Sequence, residues 1–219
     1  MFTNQNSLNN KSTRKMKKLW TAIALTTIAF SGFSQSSITV EASQNITNFK
    51  FTNSLGEQVE GYSPNYSGGY ALGYRYGLEN GMFFPVKVGM RKGGATYIYD
   101  NSNYQWELQY FEARLGLGYN YSFGKFGAHI SATGYYGMLL KANQRINNED
   151  FDIRSSGDIA KGDYGVFISP GANFQVNDYI SVYVDLNYML GLGNLETDGT
   201  QTSNNKLMGG TLGLAFTIK

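Results

Sequence analysis

The sequence predicts an all-β fold: a single eight-stranded antiparallel up-and-down barrel, with short turns at one end and long loops at the other. Three observations predict it. Segments of about ten residues alternate between apolar and small or polar side chains, and they recur along the chain. The connections between them alternate between tight and long. The apolar faces are rich in Leu, Val and Ile, while the opposite faces are too polar and too small to pack a dry core. Composition agrees, with 27 Gly, 17 Tyr and 14 Phe but only 3 Pro in 219 residues, a balance that suits twisted strands.

The first segment, 38–51, places Ile38, Val40 and Ala42 on one parity and Phe49 and Phe51 on the other, which predicts a bulge between them. The second sets Tyr70, Leu72, Tyr74 and Tyr76 against Ala71, Gly73, Arg75 and Gly77. In the third, Phe84, Val86, Val88 and Met90 oppose Pro85, Lys87, Gly89 and Arg91. The fourth, "YFEARLGLGYNYSFG" (110–124), sets Phe111, Ala113, Leu115, Leu117, Tyr119 and Tyr121 against Glu112, Arg114, Gly116, Gly118 and Asn120. In the fifth, Ala128, Ile130, Ala132, Tyr136, Met138 and Leu140 oppose His129, Ser131, Thr133, Tyr135 and Gly137. The sixth opposes Val166, Ile168, Ala172 and Phe174 to Ser169, Gly171, Asn173 and Gln175. The seventh opposes Ile180, Val182, Val184, Leu186, Tyr188 and Leu190 to Ser181, Tyr183, Asp185 and Asn187, and "TLGLAFTIK" closes the set.

"LENG" (78–81), "SFGK" (122–125) and "VND" (176–178) read as tight turns, and 52–68, 93–104, 142–163 and 193–206 as long polar loops. Alternating connections of this kind belong to outer-membrane barrels, with short turns in the periplasm and long loops outside. A soluble lipocalin-like barrel keeps its apolar side inward around a small ligand. Here the apolar face must meet lipid, so Glu112 and Arg114 point into the barrel and the sheet closes on itself to satisfy its backbone. Tyr119, Tyr121, Phe123 and Phe126 at a tight turn, and Tyr97, Tyr104 and Trp106 at a long loop, read as two aromatic girdles.

From Met16 the chain reads "MKKLWTAIALTTIAFSGFSQ": two lysines, an apolar run, then Gly32 and Ser34 at the small −3 and −1 positions. Residues 1–35 are expected to be an upstream extension plus a secretory signal peptide cleaved before Gln35, and 36–219 the outer-membrane barrel domain. With no cysteine, disulfides, thiolate metal sites and Cys nucleophiles are excluded. Five of the 18 basic residues, Lys11, Arg14, Lys15, Lys17 and Lys18, lie in residues 1–35, which hold no acid. That leaves 13 basic against 16 acidic residues, a net of −3, and no case for a nucleic-acid partner.

Several stretches resemble a known family, the PorT-like outer-membrane β-barrel proteins of Bacteroidota, built like small OmpX- or OmpA-type barrels. They are "FFPVKVGMRKGGA" (83–95), "LQYFEARLGLGYNYSFG" (108–124), "GYYGMLLKA" (134–142), "DYGVFISPGANF" (163–174) and "VDLNYMLGLGN" (184–194). The resemblance implies outer-membrane location, eight strands and no enzymatic activity.

The residues themselves offer little chemistry. His129, the sole histidine, sits on the polar face past a tight turn with no carboxylate close in sequence, and reads as a hydrogen-bonded interior group. "NNEDFDIRSSGD" (147–158) lacks EF-hand spacing and reads as a solvated loop, so no metal or cofactor is expected. Arg75, Lys87, Arg91 and Arg114 face inward against Glu112 and Asp185, an ion-paired lumen network that carries two surplus positive charges. The expected function is a non-enzymatic, integral outer-membrane protein with a structural or accessory role in the envelope, its loops or outer wall meeting a partner. The expected partners are membrane lipid and possible envelope proteins, with no small-molecule substrate. A secretion-machine accessory of the PorT-like kind and an enzyme at the outer rim are the alternatives.

Overall fold

The computed structural model describes residues 35–59, 61–157, 159–197 and 201–218; the expected leader and its cleavage site before Gln35 lie outside them. Among the described residues ten strands form, in chain order: β1 (Ser36–Thr52), β2 (Gln58–Val59), β3 (Tyr62–Gly77), β4 (Met82–Tyr99), β5 (Ser102–Phe123), β6 (Phe126–Ile146), β7 (Glu149–Asp152), β8 (Gly162–Gln175), β9 (Ile180–Gly191) and β10 (Thr202–Ile218). Eight of them are long; β2 and β7 are short additions pairing only with β1 and β6. Every long strand pairs antiparallel with its chain neighbour, and β10 pairs with β1, so the sheet closes into a ring of eight with no open edge along the long strands. No helix occurs among the described residues.

Alternation sorts the two faces as the pattern implies. In β5, Leu115, Leu117 and Tyr121 are 64%, 54% and 64% exposed on the outer face, while Glu112 on the inner face is 2% exposed. Val86 and Val88 of β4, Ile130 and Met138 of β6, Ile168 of β8 and Leu186 of β9 lie on the same outer wall. The inner face holds Thr39, Glu41, Asn45, Arg91, His129, Asp163, Asp185 and Asn205, all buried. The outer apolar wall ends at a row aligned by strand register, Lys92–Gln109–Lys141, which sits just beyond Met90–Phe111–Met138.

The ends differ from expectation in three ways. The bulge expected in β1 is absent: its register with β10 runs unbroken from Ser36 to Thr52. Phe49 instead keeps the inward parity of Thr47 and packs on the inner cluster of Leu108, Tyr110, Leu139, Ala142 and Leu195. Register shifts fall between Pro64 and Gly69 against β4, and beside Gln109 and Tyr110 against β6, where Leu140 is the extra residue. Second, the long loops are shorter than expected, because the strands run on into them. The span 93–104 is a hairpin turned by Asp100 and Asn101 (φ 47° and 57°), and Asn147 and Asn148 (φ 48° and 73°) turn another. Paired positive φ values make the tight turn whose twist matches its strands, and Asn and Asp tolerate that conformation. Among the described residues, only the connections on either side of β2, after β7 and after β9 remain longer. Third, the aromatic group at that end is no outer girdle. Trp106 has the inward parity of Leu108 and Tyr110, Tyr104 stacks on Trp106, and Tyr97 stacks on Tyr62, so the group gathers at the mouth.

Candidate functional site in the ion-paired interior

Six residues lie on one register row around the inner wall: Glu41, Ala71, Gly89, Glu112, Gly137 and Asp163. Three of them are carboxylates, and the small residues between them leave room for long side chains from the rows on either side. Gly89 is required there, since a Cβ would come within 2.8 Å of the Ala71 Cα. Lys87 and Arg114 stand on the row toward the short turns, and Arg91 on the row toward the mouth.

Buried charge persists only when paired and hydrogen-bonded, and here each carboxylate is. Glu112 accepts from Arg91 Nε at 2.8 Å through Oε2 and from Arg114 Nε at 2.7 Å through Oε1, with Arg114 Nη2 also bonding to Oε1. Asp163 Oδ2 accepts from Arg91 Nη2 at 3.0 Å, Tyr135 at 3.0 Å and Asn205 at 2.8 Å. Glu41 Oε2 accepts from Lys87 Nζ at 2.6 Å and the Tyr183 hydroxyl at 2.8 Å. Rings cover the remaining faces of the cations, Tyr110 on Arg91 at 4.8 Å and Phe167 on Arg114 at 4.0 Å. Toward the mouth, Leu108, Tyr110, Leu139 and Leu195 lie across the interior.

Asp185 and Arg75 stand apart from this cluster. Asp185 Oδ1 lies 2.7 Å from His129 Nε2, across Gly171, where a Cβ would sit 2.6 Å from that nitrogen. Arg75 lies over the rings of Phe83 and Tyr183 at 4.6 and 5.2 Å. The expected surplus of two cations is removed by Glu41 and Asp163, so that Arg75, Lys87, Arg91 and Arg114 face Glu41, Glu112, Asp163 and Asp185. Glu41 shares the parity of Ser37 and Thr39, and Asp163 that of Gly165 and Phe167; reading the face opposite Ile38, Val40 and Ala42 finds the first, and carrying the alternation of β8 back past Gly165 finds the second.

A triad-like use of His129 needs a hydroxyl as well as an acid. The acid is present in Asp185, but the His129 Nδ1 is buried without a hydrogen-bond partner. The nearby Ser169 hydroxyl donates to Asn187 instead. On the outer hairpin, Asp150 accepts from Arg145 at 2.7 Å, which holds its carboxyl below the usual range, and Asp152 accepts from the Arg154 amide.

Residues 31–196 match the family model described as an outer membrane protein beta-barrel domain. The crystal structure of the outer membrane protein OprG from Pseudomonas aeruginosa is similar over 84% of this chain and 96% of its own, at 10% identity and a TM-score of 0.52. A major outer membrane protein from Thermus thermophilus (84% and 99% covered, 10% identity, TM-score 0.49) and Neisserial surface protein A (81% and 97%, 12%, 0.46) are further neighbours. At such an identity the likeness to OprG speaks to fold alone. Among curated protein sequences none matches the chain.

Proposed function

The chain belongs to the outer membrane protein β-barrel domain family and is an outer-membrane protein, and on that premise we propose that its eight long strands span that membrane as a plugged, non-enzymatic barrel. Its three short turns lie in the periplasm and its longer hairpins outside, and its outer wall or hairpin tips meet an envelope partner. The observation that carries this reading is the inverted polarity, with an apolar wall outside and a charge-paired interior. Lipid tolerates the first and, by offering no hydrogen bonds, demands closure of the sheet.

The filled interior argues against a general diffusion role. Arg91, Glu112, Asp163 and Tyr110 are each at most 2% exposed, and eight strands enclose little beyond side chains. Proteoliposomes carrying the protein should therefore swell in small sugars no faster than empty vesicles. Swelling at porin-like rates would remove the plug. A narrower form of the same proposal, an accessory of a secretion or assembly machine, rests on the PorT-like stretches alone. Purification from membranes in mild detergent tests it: a stoichiometric envelope protein should co-purify, and recovery of the barrel alone under several detergents counts against any stable partner.

A further inference from the structure

The outward positions of β4, β5 and β6 carry no charge until one row crosses all three strands. Lys92, Gln109 and Lys141 are register neighbours in that row, with Met90, Phe111 and Met138 next below them. Both lysines are exposed, and neither belongs to an ion pair among the described residues. Adjacent strands lie about 4.8 Å apart, so the two lysine Cα atoms stand roughly 10 Å apart and their long side chains can meet over one group placed above Gln109. A third exposed cation, Arg154, lies on the β7 side of β6, its Nε 3.3 Å from the Leu139 carbonyl. The acids of the region are further out or engaged: Glu107 faces outward beyond Gln109, Asp152 accepts from the Arg154 amide, and Asp150 pairs with Arg145. Height matters as much as charge. Outward side chains of β5 are apolar or aromatic over the ten residue steps from Tyr121 to Phe111. At roughly 3.3 Å per step and a tilt of roughly 40°, that band is about 25 Å tall, the height of the lipid-facing band of such a barrel. Gln109, the next outward position, lies about 5 Å past it, where headgroups replace hydrocarbon.

We propose that Lys92, Gln109 and Lys141 form a docking surface for the phosphate of a membrane lipid headgroup, on the outer wall at its mouth end. The two ammonium groups supply the countercharge and the Gln109 amide a further donor, while Met90, Phe111 and Met138 meet the first carbons of the acyl chains. Basic residues at a bilayer surface attract anionic lipid in this way. Residues 36–219 carry a net charge of −3, so the attraction is local to the row and not a property of the whole barrel. A lipid fits better than a soluble acidic partner because the lysines sit directly on the rim of the apolar wall and not at a hairpin tip. The assignment rests on the membrane-spanning reading given above.

The full chain is folded into phosphatidylcholine vesicles holding a trace of chain-spin-labelled phosphatidylcholine or chain-spin-labelled phosphatidic acid. Electron spin resonance then reads the motionally restricted fraction of each lipid. Any lipid-facing wall restricts phosphatidylcholine, so that fraction tests the membrane-spanning reading by itself. Phosphatidic acid should associate at least about twofold more strongly than phosphatidylcholine, averaged over the whole wall. Lys92→Gln combined with Lys141→Gln should bring phosphatidic acid down toward phosphatidylcholine and leave phosphatidylcholine unchanged. Each single substitution should lose part of the preference, so the test stands even where the pair does not fold. Equal restriction of the two lipids by the unaltered protein leaves the barrel in the bilayer and overturns the docking surface alone. A folded double variant that keeps the whole preference overturns it as well. Loss of the preference in inorganic phosphate, but not in sodium chloride of equal ionic strength, would make the row a site for free phosphate and also overturn it. If neither lipid is restricted, the wall is not in lipid and both readings fall.

Discussion

Glu112→Gln is expected to destabilise the folded barrel by about 3–5 kcal/mol, the usual cost of breaking one partner out of a buried ion pair. Glu112 is the hub between two arginines, and its two oxygens serve one each. Glutamine keeps the shape and one acceptor, but it deletes the charge and presents an amide to a guanidinium. The interior then holds four cations against three carboxylates. Arg91 retains Asp163, whereas Arg114 is left with Glu41 at 3.9 Å, and that carboxylate is already engaged by Lys87 and Tyr183. Adding Arg114→Met restores the balance at three against three and should recover part of the loss, a coupling that a double-mutant cycle reads directly. Urea unfolding in lipid vesicles measures wild type, single and double variants on one scale. A single variant as stable as wild type would mean that water reaches Glu112.

Leu117→Arg is expected to cost about 2–4 kcal/mol, the range for arginine on the lipid face of a barrel near the midplane. Leu117 is 54% exposed on the outer wall, paired across the strands with Ala132, which pairs in turn with Ile168. It stands about midway between the Gln109 row, where the outer face turns polar, and the turn after Phe123. Arginine at exposed Ser155, on the connection after β7, serves as the control and should cost almost nothing. Equal tolerance at the two positions would place both in water.

Polarity was legible because side-chain period two is all that a strand needs to declare its faces, and the Phe111–Tyr121 stretch declares them without a break. The interior pairing of Arg91, Glu112 and Arg114 was legible for the same reason, since three residues of one parity on hairpin-linked strands must meet inside a closed sheet. Glu41 escaped because Phe49 and Phe51 read as a break in the pattern of β1. The aromatic residues do face the other way from Ile38, but by ordinary alternation, turning inward to build the mouth rather than by a bulge. Asp163 escaped because its polar neighbours read as loop. Strand extension through Asp100–Asn101 and Asn147–Asn148 depended on turn geometry that these residue types permit without demanding. The meeting of His129 with Asp185, 56 residues apart, follows from pairing of β6 with β8 and β8 with β9, and no local pattern announces it.

In the proposed arrangement the outer wall touches lipid while the interior is packed with paired charge. Since the chain has no cysteine, single cysteines can be placed in turn at positions 113 to 119 of β5, spin-labelled, and the protein folded into lipid vesicles. Collisional accessibility to oxygen, which concentrates in the bilayer, is the measurement. A two-residue period is expected, with Ala113, Leu115, Leu117 and Tyr119 positions open to oxygen and Arg114, Gly116 and Gly118 positions shielded from it. The same alternation with opposite phase, or accessibility to a water-soluble nickel complex at Leu115 and Leu117, would contradict it.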